Sequence, residues 1–319
     1  MAVDIEVREI VWKSAGKRNL RPGAIVALGT FDGVHRGHQE ILRHTRRLAA
    51  AAGRPAVALT FDRHPRSLLG GAPPLLTTTE EKLDLLEQEG LDGVWLIRFD
   101  PAFSQLSPEQ FVHEVLDTRL QVAGAVAGFD FSYGRGGAGK AASLQRSGQE
   151  LGWQVEILPP VVVDGQVVSS TGIRQALQAG QVEQAARWLG RPYRLQGQVV
   201  AGDGRGRSLG FPTANLATPA NKVLPADGVY VAVVTEIPDR PALVSISRKP
   251  TFWTEGMAAP LVVEVYVDQY EGNLYGQYLA VDFLQRLRPI ARFDTVEQLV
   301  EQMEADRDQA RHLWGRLQS

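Results

Sequence analysis

Cysteine is absent from this chain of 319 residues. Disulfides, thiolate metal sites and cysteine nucleophiles are therefore excluded. Also missing is any apolar run near the ~20 residues that a membrane-spanning helix needs. Residues 1–18 mix Asp, Glu, Lys and Arg with apolar residues, so no signal peptide is expected. Charge of one sign is not in excess: 34 Lys and Arg stand against 36 Asp and Glu, a formal net charge of -2. A broad basic face for gripping nucleic acid is not expected, whereas a local anion pocket is compatible with this balance. Repeats and low-complexity tracts are lacking too. These absences point to a soluble cytoplasmic protein whose partners are small molecules rather than nucleic acid or membrane. What is present suffices for real cores: 44% of the residues are hydrophobic, and the length suggests two domains.

Short apolar runs alternate with helical patterns in the first half. Strands are expected at 24–28, 56–60, 93–97, 124–127 and 154–158, and helices at 39–52, 80–89 and 108–120. In the first of these helices Ile41, Leu42, Leu48 and Ala49 recur at helical spacing. Such alternation favours a parallel sheet with helices on both faces, whose ligands sit at the carboxyl ends of the strands. Two more helical stretches, 171–179 and 182–189, precede a change of rhythm. Beyond residue 193, β-rich runs at 196–200, 229–235, 243–246, 261–267 and 278–283 are separated by Gly- and Pro-rich turns. That pattern predicts a small antiparallel barrel or sandwich. The boundary is expected near Gly190-Arg191-Pro192, giving domains over 1–187 and 188–319. The chain ends on an amphipathic helix. Its stripe of Val296, Leu299, Val300, Met303, Ala310, Leu313, Trp314 and Leu317 is expected to cover the barrel.

Between the first of these strands and the first helix stands Gly29-Thr30-Phe31-Asp32-Gly33-Val34-His35-Arg36-Gly37-His38. Glycines let a backbone approach phosphates, and a helix N-terminus offers free N–H groups at the positive end of its dipole. His35 and His38 can both face one phosphate and stabilise charge building on it. Two histidines at this spacing could instead begin a metal site. With no cysteine and no third ligand nearby in sequence, the phosphate reading is preferred. Further on, Ser170 and Thr171 can cap a helix, and Arg174 can fork onto phosphate oxygens. The segment 134–140 imitates a P-loop, but Ala141 stands where a Ser or Thr would hold magnesium. It reads as a loop.

In the second half, residues 202–215 are Gly-rich and basic. Arg205 and Arg207 can neutralise phosphates. Thr213 and Asn215 are two residues apart, so in an extended segment their oxygens point to one side. Such hard oxygens suit magnesium. Glu264 has two readings: a catalytic carboxylate, or a solvent-facing strand residue beside a buried face of Val263, Val265 and Val267.

The segment from Phe31 to Gln39 resembles the His-x-Gly-His signature of nucleotidyltransferases, in the longer form carried by bacterial FAD synthetases. Further matches follow in family order. They are Thr60-Phe61-Asp62-Arg63-His64-Pro65, Gly128-Phe129-Asp130-Phe131-Ser132-Tyr133-Gly134 and Ser169-Ser170-Thr171-Gly172-Ile173-Arg174, then Gly210-Phe211-Pro212-Thr213-Ala214-Asn215, Pro250-Thr251-Phe252 and Val263-Glu264-Val265. Arg63, Tyr133, Gly137, Lys140, Gly172, Ala201, Ser245 and Ser247 depart from the family pattern. Over residues 26–314 the chain resembles the bacterial bifunctional riboflavin kinase/FMN adenylyltransferase family.

The resemblance implies an α/β Rossmann-like nucleotidyltransferase domain followed by a small six-stranded antiparallel riboflavin kinase-like β-barrel with a C-terminal helix. It implies ATP-dependent phosphorylation of riboflavin to FMN, then adenylyl transfer from ATP to FMN, giving FAD and pyrophosphate, with Mg2+ as cofactor. It places His35, His38 and Arg174 on the ATP phosphates, among Gly29, Thr30, Phe31, Asp32, Gly33, Gly37, Ser170 and Thr171. Asp62, His64, Asp130 and Phe131 fall on the flavin side. In the kinase half Arg205, Arg207, Gly210, Phe211 and Pro212 belong to the substrate site. Thr213 and Asn215 hold the metal, and Glu264 takes the proton from the riboflavin 5′-hydroxyl. The alternatives are a chain with only one working half, or a flavin-binding regulator without catalysis.

Overall fold

The apolar runs of the first half pair into one sheet that is covered on both faces. The computed structural model describes residues 5–12, 19–68, 70–202, 206, 209–248 and 261–318. The chain divides into two units, Met1–Ser170 and Thr171–Ser319. In the first, β1 (Val7–Val11), β2 (Ile25–Leu28), β3 (Ala56–Phe61), β4 (Gly93–Ile97) and β5 (Gly124–Gly128) join β8 (Gln154–Leu158) in the order β1-β4-β3-β2-β5-β8. Strands β2, β3, β4, β5 and β8 run parallel, and β1 lies antiparallel along β4.

Helices α1 (Arg36–Ala52) and α2 (Thr79–Gln88) carry the chain outward from β2 to β3 and β4. Two short pieces follow, α3 (Pro101–Ser104) and α4 (Pro108–Gln110), and then a wider π-helical stretch, Phe111–Arg119. They return the chain to the other side of β2, where β5 lies. The strand order thus reverses between β2 and β5, the place where doubly wound sheets bind ligands. Along β2, Val26 and Leu28 enter one core and Ile25 the other, as the two-residue period of a strand requires.

Three features of this unit were not expected from the sequence. Strand β1 is one. The second is a hairpin of β6 (Ser132–Tyr133) and β7 (Gly139–Lys140), which takes in the P-loop imitation and leads into α5 (Ala141–Leu151). The third is a hairpin of β9 (Val162–Val163) and β10 (Gln166–Val167). Strands this short carry too little periodic signal to be read in advance. Helix α1 also begins earlier than the apolar pattern suggests, at Arg36, because His35 caps it.

In the second unit, α6 (Ser170–Gln178) and α7 (Val182–Leu189) precede a closed antiparallel barrel. Its strands are β11 (Tyr193–Val200), β12 (Thr213–Ala217), β13 (Gly228–Val234), β14 (Ile237–Arg248), β15 (Leu261–Val267) and β16 (Tyr278–Arg288), closed in the order β11-β12-β15-β14-β13-β16. The six-stranded barrel agrees with the expectation, and β12 adds a strand the apolar runs did not reveal. Helix α7 packs on β16 and β11.

The final helix, α8 (Val296–Gln318), packs against β14. Its expected apolar stripe is only partly used. Val296 and Leu317 are 56% and 61% exposed, while Ala310 is buried. Leu299, Val300, Met303, Leu313 and Trp314 are half-buried, and charged anchors add to them. Arg288 on β16 donates to both oxygens of Asp306, and Arg311 to both oxygens of Asp268. A hydrophobic stripe cannot show such pairs, because each partner comes from a distant part of the chain.

Candidate active sites

The turn after β2 is built from the inside. Phe31 and Val34 adopt positive φ, 52° and 38°, and Gly33 lies at 85°. For a residue with a Cβ such a conformation costs on the order of 1 kcal/mol. The Phe31 and Val34 side chains are buried in the core, which offsets that strain. The Asp32 carboxylate is buried and accepts from the backbone of Leu76 and Thr77, each at 3.0 Å. The Gly33 amide donates to Thr77 Oγ1 at 3.0 Å, and Ser170 Oγ donates to the Asp32 carbonyl at 2.9 Å. Phe31 and Asp32, expected around the nucleotide, thus direct their side chains inward and support the turn.

His35 caps α1, its Nδ1 accepting from the His38 amide at 3.3 Å. A neutral ring bonded in this way carries its proton on Nε2, which makes that nitrogen the donor. The two imidazoles stack with centroids 3.6 Å apart and planes 15° from parallel. The Phe31 ring stands edge-on to His38 at 5.2 Å. A Cβ at Gly37 would lie 3.1 Å from His35 Cε1, so glycine there leaves room for the stack. The paired rings stand over the first turn of α1, where backbone N–H groups lack helical partners and the dipole favours an anion.

Two more strands deliver groups at the same carboxyl edge. After β3, Asp62 Oδ1 accepts from the Phe99 amide at 2.9 Å, and His64 Nδ1 accepts from the Arg66 amide at 3.2 Å. After β5, Asp130 is exposed and the Phe131 ring stacks on Tyr133 at 5.6 Å. Arg174 lies in the second unit, buried on α6, and Thr171 is exposed at that helix's start.

One buried group was missed by the sequence reading. Lys82 on α2 is 8% exposed, and it lines a cavity of about 20 Å³ with Thr30, Asp32, Asp62 and His64. Burial lowers its pKa to about 8, against the raising effect of the Asp32 and Asp62 charges. A signal existed: Lys82 stands one helical turn before the fully buried Leu86, on the face that should be apolar.

On the barrel, the register assembles a second constellation. Val263, Val265 and Val267 are buried, and Glu264 and Tyr266 take the opposite face. Asn215 on β12 and Ser245 on β14 pair with Glu264 from either side, and Thr213 pairs with Tyr266. Side chains at directly opposed positions share a face. A polar row of Asn215, Glu264 and Ser245 therefore crosses three strands, with Thr213 two residues along from Asn215. Next to it the Phe211 ring meets Tyr266 at 5.2 Å and Arg307 of α8 at 5.5 Å. Burial, and then the charge of Asp268, pushes the Tyr266 phenol up, so it stays protonated as a donor.

Two described glycines of the Gly-rich segment lie close to β12 and the turn before it. A side chain at Gly202 would run into the Asn215 amide, and one at Gly206 into the Phe211 carbonyl. Gly210, with φ 82°, and Pro212 are exposed beside it. Arg205, Arg207 and the Pro250-Thr251-Phe252 motif lie outside the described residues. An open cleft of about 440 Å³ adjoins Thr213 and is lined by Val199, Pro212, Tyr270, Asn273 and Tyr275. Among the described residues no cluster of His, Asp and Glu forms a ready-made metal site, and no helix is long and apolar enough to cross a membrane.

A doubly wound sheet with a histidine pair at its first helix, followed by a barrel with a polar row centred on one carboxylate, defines a two-unit nucleotide-dependent transferase. Comparison with known proteins agrees unit by unit. The family model for FAD synthetase matches residues 17–172, and that for riboflavin kinase matches 189–314. The bifunctional riboflavin kinase/FMN adenylyltransferase of Listeria monocytogenes is 36% identical over 92% of this chain and 93% of its own length. That of Pseudomonas fluorescens is 37% identical over 93% and 96%. A solved structure of a macrolide-efflux protein from Streptococcus pneumoniae matches with a TM-score of 0.81 and 32% identity, covering 93% of this chain and 96% of that one. The chain belongs to the bifunctional riboflavin kinase/FMN adenylyltransferase family.

Proposed function

We propose that the chain makes FAD from riboflavin in the cytoplasm through two ATP-dependent transfers, the kinase over residues 188–319 and the adenylyltransferase over 1–187. The observation that carries the reading is the tandem match of the two family models, each on a stretch with its own phosphate-handling segment. In the kinase step the riboflavin 5′-oxygen attacks the γ-phosphorus of ATP. Glu264 accepts the hydroxyl proton, the bridging O–Pγ bond breaks, and ADP leaves. Asn215 and Ser245 flank Glu264 in register and hold the attacking group in line. The nucleotide occupies the cleft beside Thr213.

The oxygens of Thr213 and Asn215 fit Mg2+. They are hard donors on one face of β12, and glycine at 202 makes room for the Asn215 amide that a side chain there would displace. When bound, the ion would neutralise charge on the transferring phosphates. Arg205 and Arg207 serve the same phosphates.

In the adenylyl step a phosphate oxygen of FMN attacks the α-phosphorus of a second ATP. The α–β bridging bond breaks and pyrophosphate leaves, with no covalent enzyme intermediate. His35, His38 and Arg174 donate hydrogen bonds to the phosphates as charge shifts onto the leaving group. The turn that carries Gly29, Thr30 and Gly33, together with Ser170 and Thr171, borders the ATP. Asp62, His64, Asp130 and Phe131 face the flavin.

Incubation with riboflavin, ATP and Mg2+, with the flavins separated by chromatography over time, tests the reading. FMN that rises and then gives way to FAD is expected. FMN alone would leave a kinase, FAD from added FMN alone an adenylyltransferase, and no product from either a flavin-binding protein.

A further inference from the structure

Lys82 is charged, buried and unused by the chemistry above. Its Nζ reaches the Phe61 carbonyl at 2.7 Å, Thr60 Oγ1 at 3.2 Å and the Thr30 carbonyl at 3.4 Å. Thr60 Oγ1 itself donates to the Thr30 carbonyl at 2.9 Å. An ammonium has three donors and here meets three acceptors, whereas a neutral amine has two. These acceptors are not scattered. Thr30 stands at the end of β2, in the turn that leads to His35 and His38. Phe61 ends β3 and leads directly into Asp62 and His64. Lys82 therefore spans the gap between adjacent strand ends from a third element, α2.

We propose that Lys82 is a positioning residue for adenylyl transfer. Its ammonium ties the histidine-bearing turn after β2 to the Asp62–His64 segment after β3, and so sets the spacing between the ATP and flavin ends of the site. This inference rests on the first unit being the adenylyltransferase. A small misplacement of reacting groups costs rate more than binding, so the tie acts on kcat. The charged groups around Lys82 are Asp32 from the turn after β2, Asp62 from the segment after β3, and Arg63 and His64 at the same cavity. Glu81 neighbours it on α2, where its Oε2 accepts from the Thr78 amide. Burial brings Lys82 to titrate near pH 8, so loss of its proton removes one donor from the tie within a measurable range.

The test uses the full chain and follows FAD formation from FMN and ATP between about pH 6.5 and 9.5. Riboflavin phosphorylation by the same preparation is the internal control. In the wild type, kcat should fall on the alkaline side along one ionisation near pH 8. In Lys82→Met, kcat at neutral pH should drop about tenfold, KM for FMN and ATP should stay within about threefold, the alkaline limb should vanish, and the kinase rate should be unchanged. A merely structural role would lower the plateau and keep the limb. Thr60→Val removes one acceptor of Nζ without touching charge, and should shift the limb to lower pH. It decides the matter if Lys82→Met does not fold. A wild-type rate retained in Lys82→Met, or a limb that persists there or stays in place in Thr60→Val, would overturn the proposal. A wild type unable to adenylylate FMN would instead overturn the reading of the first unit, and the tie with it.

Discussion

Gly37 sits where a single methyl group matters, since a Cβ there would stand 3.1 Å from Cε1 and 3.2 Å from Nδ1 of His35. In Gly37→Ala the His35 ring must shift to relieve the contact, and the donors meant for the phosphate lose alignment. FAD formation from FMN should fall about tenfold, with riboflavin phosphorylation unchanged, as steady-state rates of the two reactions would reveal. Glu264 gives the reverse case. Glu264→Ala removes the base, so FMN formation should drop by about 10²–10⁴ while added FMN is still adenylylated. Retained phosphorylation would return Glu264 to the role of a solvent-facing strand residue. At this scale the sequence exposed the histidines and the carboxylate through their motifs. It did not expose Lys82 or the inward turn of Phe31 and Asp32. A motif names residue types in order, whereas burial depends on what a distant element places opposite.

Helix α8 shows how ion pairs can add to an expected apolar stripe in seating an element. Asp306 has a side-chain exposure of only 4%, and its carboxylate relies on Arg288 of β16 and on Gln302 one turn earlier. Arg288→Met keeps the aliphatic bulk and leaves a buried carboxylate without its cation. Breaking a buried pair in this way costs about 3–5 kcal/mol, so the barrel's thermal midpoint should fall clearly. Arg311 is 40% exposed in its pair with Asp268. Water screens the guanidinium, but the Asp268 side chain is only 10% exposed, so Arg311→Ala leaves a largely buried acceptor and should cost about 1–3 kcal/mol, less than the Arg288 variant. Thermal unfolding of the two variants side by side would expose the contrast, and equal losses would mean that α8 is held mainly by its apolar contacts. Periodicity located α8 and most of its covered stripe but not its ion pairs, because Arg288, Asp268 and their helix partners are joined only after the barrel closes.

Across the whole molecule, each family model covers a stretch with its own chemistry. A mixture of His38→Ala and Glu264→Ala should therefore turn riboflavin into FAD through FMN released into solution, although neither variant does so alone. Chromatography of the flavins would show it, and a silent mixture of folded variants would mean that FMN must pass between sites within one molecule. The sequence by itself determined the strand–helix rhythm of the first half, the β-rich second half, the order of the motifs and the position of the histidine pair at the start of α1. These are local properties, set by side-chain period and by residue types a few positions apart. Only the tertiary structure decided the row of Asn215, Glu264 and Ser245, because strand register sets which residues face one another. It alone also decided the burial of Lys82 between two strand ends and the ion pairs that seat α8, since each joins residues far apart in the chain whose meeting depends on how the whole unit packs.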